Sequence, residues 1–540
     1  MKNLIQYFSK ALLALSIILM TATGCSDFLD INTDPNNPLD SKLSQILPSV
    51  QTVIFEALGN GSGGMSDLTS QYVHHTVQRG QTNFYFFSGN EFNIATAWPN
   101  LYSSGLKDMD VMIAKANDRQ SWHYLGIAQI LKAYTYSIMV DMWGKAVFTE
   151  FGKGTENPFP AFDNGEEIYP QLITLLNDAT TNLAKTAAET PAADDLIFNG
   201  NRAKWIKLAN SLKLKLYNQV RLTTLYDATA VADIINNDEI MGSVTDGFKL
   251  LYGTANNPEN RHPMFKQDYA DNGANYIDPY FYLIMKGDPS LPSFNPILDG
   301  IADPRVPYYF YNQLAGNEPV NPFTSARFGD FLSIWFASFQ IDPNEGFDQA
   351  QYQTVVGQYP CGGAFDDGAG GRAGVAEGQH AGLGGAGYTR LYPYLAHLYT
   401  RAELSLTKGA PGNDRTLFED AMRASFDEVN QLAALPVPGV DAYVNAVLAL
   451  YDADSAQGKL ELILTEKWIA SFGFSIDAYT DYRRTSFPVM FDPNTDGNPF
   501  TILNRVYPVS IPYFIDDLRI NPNADPQRDP ATDKVFWDVD

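Results

Sequence analysis

The strongest constraint on the fold is where the helical periodicity of this chain starts, stops and resumes. Apolar residues recur at three- and four-residue spacing, which lays them on one face of an α-helix, in paired segments at 97–143, 165–225, 390–433 and 441–471. In 165–188 the face is Ile168, Leu172, Leu175, Ala179 and Leu183; in 201–225 it is Trp205, Leu208, Leu212, Leu216 and Val220. A further helix is predicted over 43–58, stopped by Gly59, and a short polar one over 477–485, ahead of Pro488. Each arm can bury its apolar face only against a neighbour, so the pattern fits a solenoid of helix pairs or a generic all-α body. Trp122-His123-Tyr124-Leu125-Gly126 matches the start of the tetratricopeptide pattern, but Gln129 stands at its tyrosine position.

Between 227 and 388 the periodicity fades, while proline, glycine, asparagine and aromatics crowd in, as in DPYFYLIM (278–285) and RVPYYFYN (305–312). A structureless loop of that length is implausible in a compact body. The expectation is short helices, brief strands and turns packed on the helical frame, with a mobile glycine-rich stretch at 361–387.

The chain carries 33 Phe, 30 Tyr and 7 Trp. Sugar rings expose flat C–H faces, which aromatic side chains cover with a broad, polarisable surface. A binding platform of this kind needs rings in exposed loops beside amide or guanidinium groups. Arg79, Gln81, Asn83, Tyr85 and Phe86, within RGQTNFYFF (79–87), supply that mixture in a predicted loop; Trp335, in LSIWFASF (332–339), is a second candidate. Trp122, Trp205 and Trp468 lie on helical faces and are expected in the core.

The amino terminus bears on location. Lys2 and Lys10 precede or open an apolar run, 11–20, that gives way to small residues directly before Cys25. Ten residues make a helix of about 15 Å, half of what a bilayer core requires, so 1–24 reads as a secretory signal. Ala22-Thr23-Gly24-Cys25 resembles a bacterial lipoprotein site, with Ala22 where leucine is usual, and Cys25 is the expected lipid attachment point. Residues 25–40, rich in Asp, Asn and Pro, read as an extended leash, and 41–540 as one domain.

A formal charge of −25 repels phosphate backbones and makes nucleic acid a poor partner. Two cysteines leave Cys361 unpaired once Cys25 is assigned to lipid. No zinc-protease or serine-hydrolase motif occurs, and no cofactor is expected. Gly382-x-Gly384-x-x-Gly387 fits a dinucleotide fingerprint only in letters, because no strand is predicted before it. Asp492, Asn494 and Asp496 resemble half of a calcium loop, but Leu503 occupies the position of its final glutamate, so a plain turn is favoured. His74 and His75 are neighbours on a predicted helix and point apart, which suits no shared metal. Arg483-Arg484 is expected to pair with carboxylates inside the protein.

The order of several stretches resembles the SusD/RagB family of nutrient-binding outer-membrane lipoproteins. They are CSDFLDINTDPNNP (25–38), VDMWGKAVFTE (140–150), FDNGEEIYPQLITLLNDA (162–179), DLIFNGNRAKWIKLANSLKLKLYNQV (195–220), ADPRVPYY (302–309), LTEKWIASF (464–472) and DAYTDYRRTSFP (477–488). The resemblance implies a mainly α fold of about four tetratricopeptide-like helix pairs, with irregular insertions forming the ligand-facing side. It also implies a surface-exposed, lipid-anchored, non-enzymatic protein that delivers oligosaccharide or peptide to a SusC-like TonB-dependent transporter. An anchored glycan-degrading enzyme and a helical scaffold for protein partners are the alternatives.

Overall fold

The computed structural model describes residues 41–61, 63–77, 85, 88–271, 275–288, 297–314, 325–337, 352–371, 382–433, 435–492, 495–496 and 506–539. Residues 1–40, with Cys25, lie outside that set, as do Arg79, Gln81, Asn83, Phe86 and Asn494. Two blocks of antiparallel helices form the frame. The first contains α1 (Leu43–Leu58), α2 (Met65–Tyr72), α3 (Phe92–Asn100), α4 (Lys107–Asp118), α5 (Trp122–Trp143), α6 (Gly165–Ala184), α7 (Arg202–Gln219) and α8 (Ala228–Asn236). Helix α5 is buried on nearly every side, as apolar residues on all of its faces require. Gly126 lets α5 meet α6 closely: a Cβ there would stand 2.7 Å from Leu183 Cγ and 2.9 Å from the Ala179 carbonyl oxygen. The side chain of Asn201 caps α7 by accepting from the backbone N–H groups of Ala203 and Lys204.

After α9 (Pro279–Met285) in the insertion, the second block follows: α10 (Tyr394–Lys408), α11 (Asp414–Leu432), α12 (Val440–Ala453), α13 (Ala456–Ala470) and α14 (Ile476–Thr485). The frame is also laced by buried ions. Glu403 on α10 accepts from Arg484 Nη2 at 2.9 Å and Asn218 Nδ2 at 2.8 Å, and Arg221 approaches it to 3.2 Å. Lys467 meets Asp481 at 2.7 Å and Lys215 meets Asp477 at 3.0 Å. Arg483 donates to the carbonyls of Asp141 and Val509, so both members of the arginine doublet are used internally.

Three boundaries differ from the sequence reading. The helix expected from residue 97 begins at Phe92; Pro99 has no N–H for its ladder, and the chain takes a wide π-turn, Leu101–Leu106, before α4. Residues 388–392 form a strand rather than the start of α10, because Pro393 holds its predecessor extended. Helix α8 opens where periodicity was expected to end, capped by Asp227.

The insertion is built from short antiparallel ladders. Strands β1 (Thr76–Val77) and β5 (Tyr276–Ile277) pair, as do β2 (Lys145–Ala146) with β3 (Asp163–Asn164) within the first block, and β4 (Phe248–Leu251) with β10 (Tyr388–Tyr392). Likewise β6 (Phe310–Tyr311) pairs with β9 (Val355–Val356), and β7 (Ser325–Phe328) with β8 (Phe331–Ile334). Residues 361–364 and Gly387, at the two ends of the glycine-rich stretch, are buried and closely packed, while 367–369 are exposed and 372–381 lie outside the described residues. A Cβ at Gly363 would lie 2.5 Å from both the Gly357 oxygen and the Tyr269 hydroxyl. Cys361 is buried, its thiol 3.3 Å from the Gly357 oxygen. Gly382, Gly384 and Gly387 precede strand β10 instead of following one, which removes the context of a dinucleotide site. Among the described residues no helix is long and apolar enough to cross a membrane.

Candidate functional site

The hairpin β7–β8 turns through Gly329, whose φ of +64° suits a residue without Cβ, and Asp330. Phe328 and Phe331 close it on either side of the turn. Phe331 goes inward and stacks on Tyr282 of α9, ring centroids 4.0 Å apart, while Phe328 stays part-exposed. Just past β8, Trp335 is part-exposed, 5.2 Å from Tyr280 and edge-on to Phe328 at 5.9 Å. Its neighbour Phe336 is buried. Extended backbone sends successive side chains to opposite sides, so one ring reaches the surface and the next the core.

Helix α9, which presents Tyr280 and Tyr282, is held from beneath. Asp278 caps it by accepting from the Tyr280 N–H at 2.8 Å, and the same carboxylate meets His74 Nδ1 at 2.9 Å. Burial raises the Asp278 carboxyl above its ordinary range, and the His74 and Tyr280 hydrogen bonds pull against that rise. His74 Nε2 lies 3.2 Å from the Tyr85 hydroxyl. His75 faces elsewhere, to Ser475 Oγ at 3.0 Å and the Trp468 carbonyl at 3.0 Å.

Beside Phe328 and Tyr282 opens a pocket of about 730 Å³, with Lys286, Asn312, Asp330 and Asp366 among its walls. Asn312 is 7% exposed. Its Nδ2 donates to Asp366 Oδ2 at 2.7 Å, and its Oδ1 accepts from Thr354 Oγ1 at 2.7 Å. Asp366 Oδ1 also accepts from the Gly368 N–H at 3.1 Å. Burial raises the Asp366 carboxyl, and nearby Asp330 adds to the effect. The Tyr282 hydroxyl is pushed up to about 12, by burial first and by the charge of Asp366 second. Asp303, at the pocket floor, turns to the buried Arg305 at 2.6 Å. The result is a concave site lined by Phe328 and Tyr282 together with the oxygen acceptors of Asn312, Asp330 and Asp366.

Of the sequence candidates, Trp335 packs beside Phe328 without lining the pocket itself. Tyr85 is 2% exposed, packed 5.1 Å from Phe336 and 5.8 Å from Tyr72. It corrects the expectation of an exposed ring: Tyr85 is a core residue behind Trp335. Arg79, Gln81, Asn83 and Phe86 fall outside the described residues. In the calcium candidate, the Asp492 N–H donates to Asp496 Oδ2 at 2.9 Å and the Asp496 N–H to the Asp492 carbonyl at 2.8 Å, closing a turn; Asn494 is outside the described set. Among the described residues no group of three or more His, Cys, Asp or Glu is placed to hold a metal ion. Trp205 and Trp468 are buried, whereas Trp122 is part-exposed with the Lys185 ammonium 4.4 Å above its ring. Sequence reasoning missed Phe328, Tyr282, Asn312 and Asp366. The Phe-Gly-Asp-Phe run at 328–331 is a hairpin signal that would have exposed the first.

A family model described as starch-binding and associating with the outer membrane matches residues 35–331, and one described as SusD and RagB outer membrane lipoprotein matches residues 398–521. No curated protein sequence matches. Solved structures share the fold. A chitin-binding protein, 19% identical, has a TM-score of 0.67 over 92% of this chain and 100% of its own. A SusD homologue from Bacteroides uniformis, 16% identical, has a TM-score of 0.67 over 93% and 100%. A chitin-binding SusD homologue from Flavobacterium johnsoniae, 17% identical, has a TM-score of 0.65 over 92% and 99%. The helical frame, its aromatic insertion and both family matches agree: this chain belongs to the SusD/RagB family of outer-membrane proteins.

Proposed function

We propose that the protein captures oligosaccharide at the cell surface, without cleaving it, in the pocket beside Trp335 and Phe328. The observation that carries this reading is a cavity lined by part-exposed Phe328 together with Asn312 and Asp366, with a second part-exposed ring, Trp335, edge-on to Phe328 at 5.9 Å. Stacking on the rings covers the C–H faces of a sugar, and the acceptors take its hydroxyl protons. Two structural relatives are described as chitin-binding, which makes N-acetylglucosamine oligomers the first ligands to try. The captured glycan passes to a TonB-dependent transporter, and acyl chains on Cys25 keep the protein at the membrane throughout.

Calorimetric titration with N-acetylglucosamine oligomers tests the site. Trp335→Ala should weaken binding at least about tenfold, roughly 1.4 kcal/mol, as expected for a ring at the centre of a contact. The melting temperature should move only a few degrees, because the ring is part-exposed. Unchanged affinity, with wild-type protein binding normally, overturns the placement.

A further inference from the structure

The charges around the glycan pocket are lopsided. Its basic lining residue is Lys286, at the end of α9 and exposed, while Asp288, Asp330 and Asp366 bring carboxylates. Arg305 does not redress this. It is fully buried and its guanidinium is engaged by two carboxylates, Asp303 at 2.6 Å and Glu466 at 2.9 Å, so it has no positive charge to lend the pocket.

Hydrogen-bond capacity leans the same way. A carboxylate offers about four lone-pair sites; the described donors to Asp366 are the Asn312 side chain, the Asn312 backbone N–H and the Gly368 N–H, one fewer than that capacity. The Asn312 carbonyl already receives Thr354, and one of its amide hydrogens goes to Asp366. What the wall has left to give is mainly acceptors fixed in place by a buried amide. Such a wall suits ligands rich in N–H and O–H donors. An ionised carboxyl group on a sugar would meet like charge there and would have to draw its donors from mobile Lys286, whose ammonium is strongly hydrated.

We infer that this pocket sorts glycans by charge, taking amino sugars with a free, protonated amine ahead of N-acetylated ones and refusing uronic acids. The inference rests on the pocket being the glycan site, and it adds the residues that set selectivity: Asp366, held by Asn312, and Asp330 at the hairpin turn. A unit charge about 6 Å from one carboxylate, at the intermediate dielectric of a pocket mouth, gives a preference of about tenfold.

The test is titration of the full protein at about pH 6, where free amines are protonated and uronates ionised, with trimers of glucosamine, N-acetylglucosamine and galacturonic acid. Expected is glucosamine tightest by about tenfold over the N-acetylated trimer at about 20 mM salt, no measurable galacturonate binding, and a collapse of the preference at about 0.5 M salt. Asp330→Asn should reduce the glucosamine to N-acetylglucosamine ratio several-fold. Equal affinity for the three trimers, or a ratio insensitive to both salt and Asp330→Asn, overturns the charge selection while leaving the glycan site standing. Binding by none of the three overturns the glycan reading itself, and the selectivity with it.

Discussion

The helical frame and the aromatic insertion are held together by different physics, and the difference is the reason the insertion is proposed to meet ligand. In the frame, apolar stripes bury against one another and ions are closed inside: Glu403 with Arg221 and Arg484, Lys467 with Asp481, Lys215 with Asp477. In the insertion the ladders are two to five residues long. Cohesion comes instead from rings and from hydroxyls that satisfy stray carbonyls, such as Tyr269 to Val356 at 2.6 Å and Tyr388 to Glu428 at 2.5 Å. Glycines let its backbone strands touch; a Cβ at Gly357 would sit 2.4 Å from the Tyr308 oxygen. The frame spends most of its large rings internally. An insertion knit from rings has some to spare at its margin, and Trp335 and Phe328 are those, carried on a rigid support.

The sharpest way to break that contrast is in the buried ions of the frame. Glu403 is 0% exposed between two arginines. Glu403→Gln would leave buried guanidinium charge uncompensated and should cost about 3–5 kcal/mol in denaturant unfolding. A loss below about 1 kcal/mol would show that apolar packing alone supports the frame.

Asp141 gives the next largest effect, and a pH signature. On α5, it accepts from the Tyr169 hydroxyl and from Trp537 Nε1 at 2.9 Å, tying the carboxy-terminal tail to the frame. Burial, the dominant influence, raises its carboxyl to about 6, against the opposing pull of Lys215, Tyr169, Arg483 and Trp537. The folded state therefore holds this proton more tightly than the unfolded chain does. Its contribution to stability falls as pH rises from about 4 to about 6, and the full penalty of about 3 kcal/mol is in place above that. Unfolding followed across this window should show a falling slope in the wild type, shared with Asp67 and Asp481, and a shallower one in Asp141→Asn. An equal slope in both would assign it to the other buried carboxylates alone.

The same contrast decides what the sequence disclosed. The helix at 43–58 begins and ends where its apolar spacing and Gly59 place it, and α5, α6, α13 and α14 follow their stripes to within a few residues. Periodicity reports burial against a neighbour, so it is written along the chain. The pocket is not written there. Tyr282, Asn312, Phe328 and Asp366 come from separate short elements, and only long-range backbone pairing brings them to one cavity. Trp335 was legible because few residues of its kind occur outside helical stripes. Tyr85 misled because a polar, aromatic local sequence looks the same whether its ring faces water or Phe336.

Tyr85 therefore supplies the finest test of the boundary between the two regions. When His74 Nδ1 donates to Asp278, Nε2 of the neutral ring accepts from the Tyr85 hydroxyl, and that chain continues through the Asp278 cap to Tyr280 and on to Trp335. Tyr85→Phe keeps the ring and removes one buried hydrogen bond, leaving the imidazole nitrogen unpaired, for a cost of about 1–2 kcal/mol in stability. Glycan affinity should change by less than about twofold, since the hydroxyl supports the platform from the rear and touches no ligand. An affinity loss larger than the stability loss would move Tyr85 out of the core and into the binding surface. Stability and affinity both unchanged would mean that the Tyr85–His74 hydrogen bond adds nothing to what the packing of Phe336 and Phe491 on His74 already provides.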